Sequence, residues 1–312
     1  MKLIKPSWEI LEQKPGLEGI YEQIELAGRT CYKSTRPEGQ TAKDFVDRMI
    51  KSGHGAMLEH GTIYLKIPHN PFSSTGSLVM KYRYNSYSRV TNDYPTEPKD
   101  AYVTTNYRTL VENGWLDDLK YLCEPTEYHE KRVTVKFTTS NSIMREFTRH
   151  RSHSFAVEST RYCNYSKDKF NNELTFIIPS WLSIPEGSYS HVGYNDDIDR
   201  SSVIYNNEII YWDTDSFLDK DRNSYNFIYP LYVAEANYMR MIEDGNKPQE
   251  AREVLPLATK CDMVMSGFVL DWRHFFRLRT SIIAETGKPH PDASALADPL
   301  YKEFIKRNYI KE

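Results

Sequence analysis

The sequence predicts an α+β fold in which helices pack around a central mixed or antiparallel sheet. Three observations carry that prediction. Amphipathic helical periodicity dominates both ends of the chain, the segments 62–67 and 132–137 alternate like half-buried strands, and no repeat or low-complexity tract interrupts the 312 residues. With 39% hydrophobic and 27% charged residues, the chain is expected to form one domain, 1–312, carrying two long insertions at about 68–131 and 183–223.

Taken in order, residues 17–28 pattern as a helix, and Thr41 with Asp44 forms a capping box before Phe45, Val46, Met49 and Ile50. Gly53 ends that helix as the residue beyond its C-cap. The first strand, 62–67, is followed by a long polar excursion rich in Tyr, Asn, Ser and Pro, with a short helix around Leu110–Lys120. The second strand, 132–137, precedes a helix capped by Asn141 with Ile143, Met144 and Phe147 on one face. A second excursion, 183–223, reads as solvated loop because its acidic stretches 196–199 and 213–221 show little apolar period. Beyond it come a long helix from about Tyr225 to Asp244 stopped by Gly245, and a helix over Gln249–Leu255 led by Pro248. A helix capped by Asp271 and a last one from about Pro299 complete the chain.

A formal net charge of -3 gives no global reason to expect nucleic acid or an anionic membrane surface, so any anion must be held by a local cluster. No apolar run approaches the roughly 18 to 20 residues of a membrane span, and Met1–Pro6 carries no secretory hydrophobic stretch, so a soluble, cytoplasmic protein is expected. Cys31, Cys123, Cys163 and Cys261 lie far apart with no Cys-x-x-Cys pair, which predicts reduced thiols, no disulfide framework and no metal. The 23 Tyr are expected at half-buried sites where the ring packs and the hydroxyl reaches water.

The densest chemical signal is the segment 149–162, which gathers Arg149, His150, Arg151, His153, Glu158, Ser159 and Arg161. Guanidinium forks of this kind grip phosphate or an imide edge by paired hydrogen bonds. No Gly-x-Gly-x-x-Gly follows a strand, so a dinucleotide would have to be held by side chains rather than by a Rossmann turn.

Arg-His-Arg, seven residues, Ser, then Arg two further on resembles the signature of the flavin-dependent thymidylate synthases. The resemblance extends to Ala27–Tyr32, to His54 with Leu58-Glu59-His60, to Ala251–Leu257, and to Trp272–Arg279. It covers roughly 17–67, 132–180 and 225–283, in order. It implies methylation of dUMP to dTMP with methylenetetrahydrofolate as carbon donor, tightly bound FAD as hydride carrier and NADPH as reductant. It further implies a homotetramer with active sites at subunit interfaces. By the same resemblance Arg279 stabilises charge on the uracil and Ser159 positions the pyrimidine, while Arg161 and Arg252 contact the nucleotide. Arg149, His150, Arg151, His54 and His274 hold the flavin, Arg149 also lying within reach of the substrate.

This chain departs from the family pattern at four places. Ala156-Val157 stands where Asn-Glu is usual, with Glu158 one place later as the acidic group expected to face cofactor and substrate. Glu146 occupies a substrate-side position that is commonly Gln, Ala56 a flavin-side position that commonly bears a hydroxyl, and Cys31 a small polar position. Two other readings are set beside this one: a related flavin-dependent pyrimidine nucleotide methylase or hydroxymethylase, and a single-stranded nucleic-acid-binding protein using the arginines and tyrosines. The negative net charge disfavours the latter. Cys163 is the thiol nearest the motif, but a packing role is expected for it.

Overall fold

The computed structural model describes residues 1–69, 74–91, 99–195, 200–213, 219–285 and 287–311. In chain order the elements are β1 (Lys2–Ile4), β2 (Ser7–Leu11), α1 (Gly16–Tyr32), α2 (Ala42–Lys51), α3 (Gly55–Leu58), β3 (Thr62–His69), α4 (Ser74–Arg83), β4 (Arg89–Thr91), β5 (Lys99–Asn106) and α5 (Tyr107–Asn113). They continue as β6 (Arg132–Ser140), α6 (Asn141–Phe147), β7 (Ser154–Val157), β8 (Thr175–Ile177), β9 (Gly187–Asn195), β10 (Arg200–Tyr205), β11 (Glu208–Asp213), α7 (Asp219–Glu243), α8 (Pro248–Ala251), β12 (Lys260–Phe268), α9 (Val269–Arg279) and α10 (Pro291–Lys306).

The architecture is α+β, and the strands among the described residues divide among three sheets. The antiparallel sheet β2-β6-β12-β7 lies at the centre, where β6 and β12 pair over nine residues from Arg132↔Phe268 to Ser140↔Lys260. Val133, Val135 and Phe137 on one face of β6 bury against Trp272, Phe275 and Phe276 of α9 and against Leu296, Leu300 and Phe304 of α10. Those α10 positions recur at helical spacing, which turns one stripe of the helix to the sheet. A smaller antiparallel sheet, β3-β5-β4, packs on α1 and α2 through Ile20, Ile24, Phe45 and Leu65. The third sheet, β11-β10-β9-β1-β8, is mixed, with β1 parallel to β8.

Several expectations hold at residue level. Thr41 accepts from the Asp44 amide at 3.2 Å while Asp44 accepts from the Thr41 amide at 2.8 Å, and Gly53 adopts φ 71°, the left-handed conformation glycine tolerates. Others are corrected. The excursion 68–131 is not a loop: β4 and β5 are two of the three strands of the second sheet, α4 packs beside them, and Val79, Tyr82, Ala101 and Val103 belong to its core. Its short helix is two pieces, α5 and a 3-10 turn over Leu116–Tyr121. The stretch 183–223 contains the meander β9-β10-β11, and of its acidic runs, residues 196–199 and 214–218 lie outside those described.

Helix ends move as well. Ser140, not Asn141, caps α6, its hydroxyl accepting from the Ile143 amide. The helix led by Pro248 is a four-residue turn passing into a 3-10 turn over Arg252–Val254. β12 runs straight into α9 at Val269, two residues before Asp271, and α10 starts at Pro291 behind His290 and carries Pro299 in its interior. The strand β12 has no alternating pattern to find, because Cys261–Phe268 is buried on both faces.

Gly267 on β12 is required by close packing. A Cβ there would stand 2.3 Å from Cδ2 of His153. Gly267→Ala is expected to lower unfolding free energy by about 1–3 kcal/mol in urea titrations, and an unchanged midpoint would show that the His153 ring is free to move.

Candidate functional site

Two helix ends create the first cluster. α6 terminates at Phe147 and the chain turns through Arg149-His150-Arg151, while α9 terminates at Arg279. The two elements are locked by ring contacts, Phe147 against Phe275 at 4.9 Å and His150 against Phe275 at 5.0 Å. Because both helices pack on the central core, the Arg279 side chain is delivered onto the α6 turn. Its Nη1 donates to Glu146 Oε2 at 2.5 Å, its Nη2 to the Glu146 carbonyl at 2.9 Å and its Nε to His150 Nε2 at 3.1 Å. Three of the five guanidinium N–H groups are thereby used and two remain.

His150 is buried, and that burial, reinforced by the nearby Arg279 and His274 charges, lowers its pKa to about 4. The neutral ring accepts from Arg279 at Nε2, which leaves its proton on Nδ1. His274 lies edge-on to it at 6.0 Å and is exposed, as are Arg149 and Arg151. Glu146, Arg149, His150, Arg151, His274 and Arg279 thus form one patch in which a buried neutral imidazole holds a half-buried guanidinium and further cations stand at the surface.

The second cluster lies beyond the other end of β7. Ser159 follows that strand, and its amide donates to the Cys31 carbonyl at 2.9 Å. Arg252 Nη1 reaches Thr160 Oγ1 at 3.5 Å and Arg161 Nε reaches Gln249 Oε1 at 3.2 Å, so the turn after β7 meets α8 and the 3-10 turn behind it. Ser159, Arg161 and Arg252 are brought together. They follow β7 in the chain, whereas Glu146, Arg149, His150 and Arg151 precede it.

Glu158 is placed between them and is buried. Its Oε1 accepts from the Tyr165 hydroxyl at 3.1 Å, and its Oε2 accepts from Lys260 Nζ at 2.7 Å and from the Asp262 amide at 3.1 Å. Lys260 also binds Asp262 at 2.9 Å, and Lys33 pairs with both carboxylates. Burial opposes the Asp262 charge, but Lys260 and Lys33 outweigh it and hold the carboxyl below its ordinary range. In the same way burial is overcome at Lys260, which Glu158 and Asp262 hold above its ordinary value.

His54 and Ala56 are exposed at the start of α3, with His54 as its N-cap residue. They are tied to the motif segment by a residue that sequence reading placed only as the start of a strand. Arg132 is buried, and its Nη1 donates to the Glu59 carbonyl at 2.6 Å while its Nη2 donates to Ser154 Oγ at 3.0 Å. Burial lowers its pKa to about 10, so it stays charged at neutral pH. Nothing in its position distinguishes it in the sequence from Lys136 four residues on in the same strand. Lys260 and Asp262 were also missed, since nothing local distinguishes them from solvated strand residues.

Thiol chemistry is disfavoured. Cys31 and Cys163 are buried, and burial pushes both thiols up to about 11.

Three imidazoles are kept neutral by burial, His60 and His153 at about 3 and His150 at about 4. An unfolded chain titrates its histidines near 6.5, so below that pH it takes up protons that the native state refuses. Stability is expected to be full above pH 6.5 and to fall toward pH 4, at up to about 1.4 kcal/mol per pH unit for each imidazole. Equal urea midpoints at pH 7 and pH 4.5 would refute neutral burial of these rings.

A probable flavin-dependent thymidylate synthase of Paramecium bursaria Chlorella virus 1 is 26% identical over 174 residues, covering 55% of this chain and 67% of the relative. The flavin-dependent thymidylate synthase of Mycobacterium leprae is 37% identical over 83 residues, and the match spans about a third of that relative, 32% of its length and 26% of this chain. A crystal structure of a UMP/dUMP methylase, PolB from Streptomyces cacaoi bound with 5-Br UMP, superposes with a TM-score of 0.44 at 16% identity, over 98% of this chain and 92% of that one. The family model described as thymidylate synthase complementing protein matches residues 17–132 and 125–307, spanning both clusters, and the chain belongs to that family.

Proposed function

We propose that the protein is a flavin-dependent thymidylate synthase that methylates dUMP reductively to dTMP, with methylenetetrahydrofolate as carbon donor and NADPH-reduced FAD as hydride donor. The observation that carries this reading is the seat of Arg279. It is a half-buried guanidinium oriented on three sides by Glu146 and neutral His150, with two N–H groups left for an imide edge. Such a preoriented donor stabilises negative charge as it develops on a pyrimidine.

The donor set suits a flavin dinucleotide. Arg149 and Arg151 are exposed beside the Arg279 seat and would neutralise a pyrophosphate, and His150, His274, His54 and Ala56 would lie along the ring system. Bound there, FAD supplies the hydride. Ser159 would orient the pyrimidine, and Arg161 and Arg252 would hold the nucleotide phosphate. Glu158 touches substrate or cofactor only by exchanging one of its present partners, and otherwise acts by fixing the backbone that carries Ser159.

The placement of the two clusters before and after β7 favours sites shared between protomers of a homotetramer. One small nucleotide that meets both Arg279 and Ser159 would draw them from different chains. Light scattering that found an active monomer would overturn this.

The decisive experiment is an absorbance spectrum followed by anaerobic reduction and addition of dUMP and methylenetetrahydrofolate. Reoxidation only with both substrates, with dTMP formed, is the expected result. A hydroxymethylated product would move the assignment to a related pyrimidine nucleotide hydroxymethylase. Arg279→Ala is expected to cost on the order of 10²-fold in kcat with flavin retained, whereas Arg252→Ala should chiefly raise KM for dUMP. An unchanged rate in the first, or an unchanged KM in the second, removes that residue from its role.

A further inference from the structure

Where the two antiparallel sheets meet lies a partly enclosed cavity of about 110 Å³, walled by the end of β2, the first residues of α1, Thr62 of β3 and the start of β6, and lined by neither Arg279 nor Ser159. Arg132 is its buried charged member. Its Nη1 donates to the Glu59 carbonyl at 2.6 Å and to Thr62 Oγ1 at 3.3 Å, and its Nη2 to Ser154 Oγ at 3.0 Å. A guanidinium carries five N–H groups. The Nε–H and one N–H of Nη2 are thus left without an acceptor among the described residues, and Nε is not one of the unpartnered atoms that burial seals off, so it keeps surface toward a void.

The charge of Arg132 is also unanswered. No carboxylate lies within ion-pair distance of it among the described residues, and the acid of neighbouring Glu59 serves Arg108. Of the charged side chains in the cavity wall, Lys14, Lys131 and Arg132 stand against Glu12 and Glu124, which leaves one positive charge over. Both acids are exposed and already engaged, Glu12 by Arg307 and the Tyr309 hydroxyl and Glu124 by the Gly16 amide, so neither neutralises Arg132. A buried cation with spare donors beside a void is costly unless an acceptor enters.

We propose that this cavity binds a small planar monovalent oxyanion, of the nitrate, formate or bicarbonate class, against Arg132. Two spare N–H groups on adjacent guanidinium nitrogens form the fork that takes two oxygens of such an ion, and its single charge equals the surplus. A water needs roughly 10–15 Å³ on the same measure of volume, so the cavity admits an ion of this size. The bound ion completes the partners of the side chain that joins α3, β3 and β7, and its effect is on stability. The inference needs neither flavin nor nucleotide, so it stands or falls apart from the synthase assignment.

The test is urea unfolding at pH 7 and constant ionic strength, with sodium nitrate or sodium formate exchanged for sodium chloride. The wild-type midpoint is expected to rise along a saturating curve, as linkage to a native-state site requires, and to rise further than in chloride. Lys131→Glu, at the exposed mouth, is expected to keep its circular dichroism spectrum and to need roughly threefold to tenfold more nitrate for half the effect, while Lys131→Arg keeps the wild-type response. Crystals soaked in nitrate should show planar density against the Arg132 guanidinium. Equal midpoints in nitrate and chloride, an unchanged response in Lys131→Glu, or water alone beside Arg132 in the soaked crystals would each overturn the assignment.

Discussion

The buried guanidinium of Arg132 is the interaction on which the arrangement of the site depends. It stands at the first position of β6 and reaches the carbonyl of Glu59 at the end of α3, Thr62 Oγ1 at the head of β3, and Ser154 Oγ at the head of β7. Segments more than seventy residues apart in the chain therefore meet on one side chain. Lysine could not replace it, because an ammonium has no planar fork to span three acceptors. A cation held largely by neutral oxygens in the interior is sustained only when each donor is satisfied, which couples the α3 segment to the arginine motif.

β7 is the axis of the chemistry. At its head the chain leaves Arg149-His150-Arg151 and the seat of Arg279, and beyond its foot it forms the Ser159-Arg161-Arg252 group. Between the two, Glu158, Asp262, Lys33 and Lys260 make a buried charge network that fixes the strand's far end. The network follows from the local sequence. With Ala156-Val157 at the strand's apolar positions, the acidic group falls at Glu158, where the pleat turns it toward Lys260 on the neighbouring β12 rather than toward solvent. Glu146 is similar in effect. A carboxylate where the family commonly has an amide gives Arg279 an ionic partner as well as a hydrogen bond.

The α+β class, the capping box at Thr41, the stop at Gly53, the helices carrying the motif and the late arginines were all legible in the sequence. Each is set by residues within a few positions of one another: a hydroxyl and a carboxylate three apart, a glycine after a periodic run, apolar residues at helical spacing. The excursions were misread because β4, β5 and the β9–β11 meander are held by pairing to strands elsewhere in the chain. β5 carries little local period because polar Thr104 and Thr105 are buried along with Ala101 and Val103. β12 was invisible for the opposite reason, since burial on both faces removes alternation altogether.

What the sequence determined by itself was therefore the local conformation and the chemical inventory: a segment dense in arginine and histidine, and a late Leu-Arg helix end. Which of those residues share a site was decided only by the tertiary structure. It gathers Arg161 and Arg252 with Gln249 and Thr160 at the turn after β7, and Arg279 with Glu146 and His150 at the turn before it. It also turns Glu158 inward onto Lys260, and it buries His150 so that it stays neutral and holds Arg279. These outcomes depend on desolvation and on contacts between residues about a hundred or more positions apart, and neither is encoded in spacing along the chain.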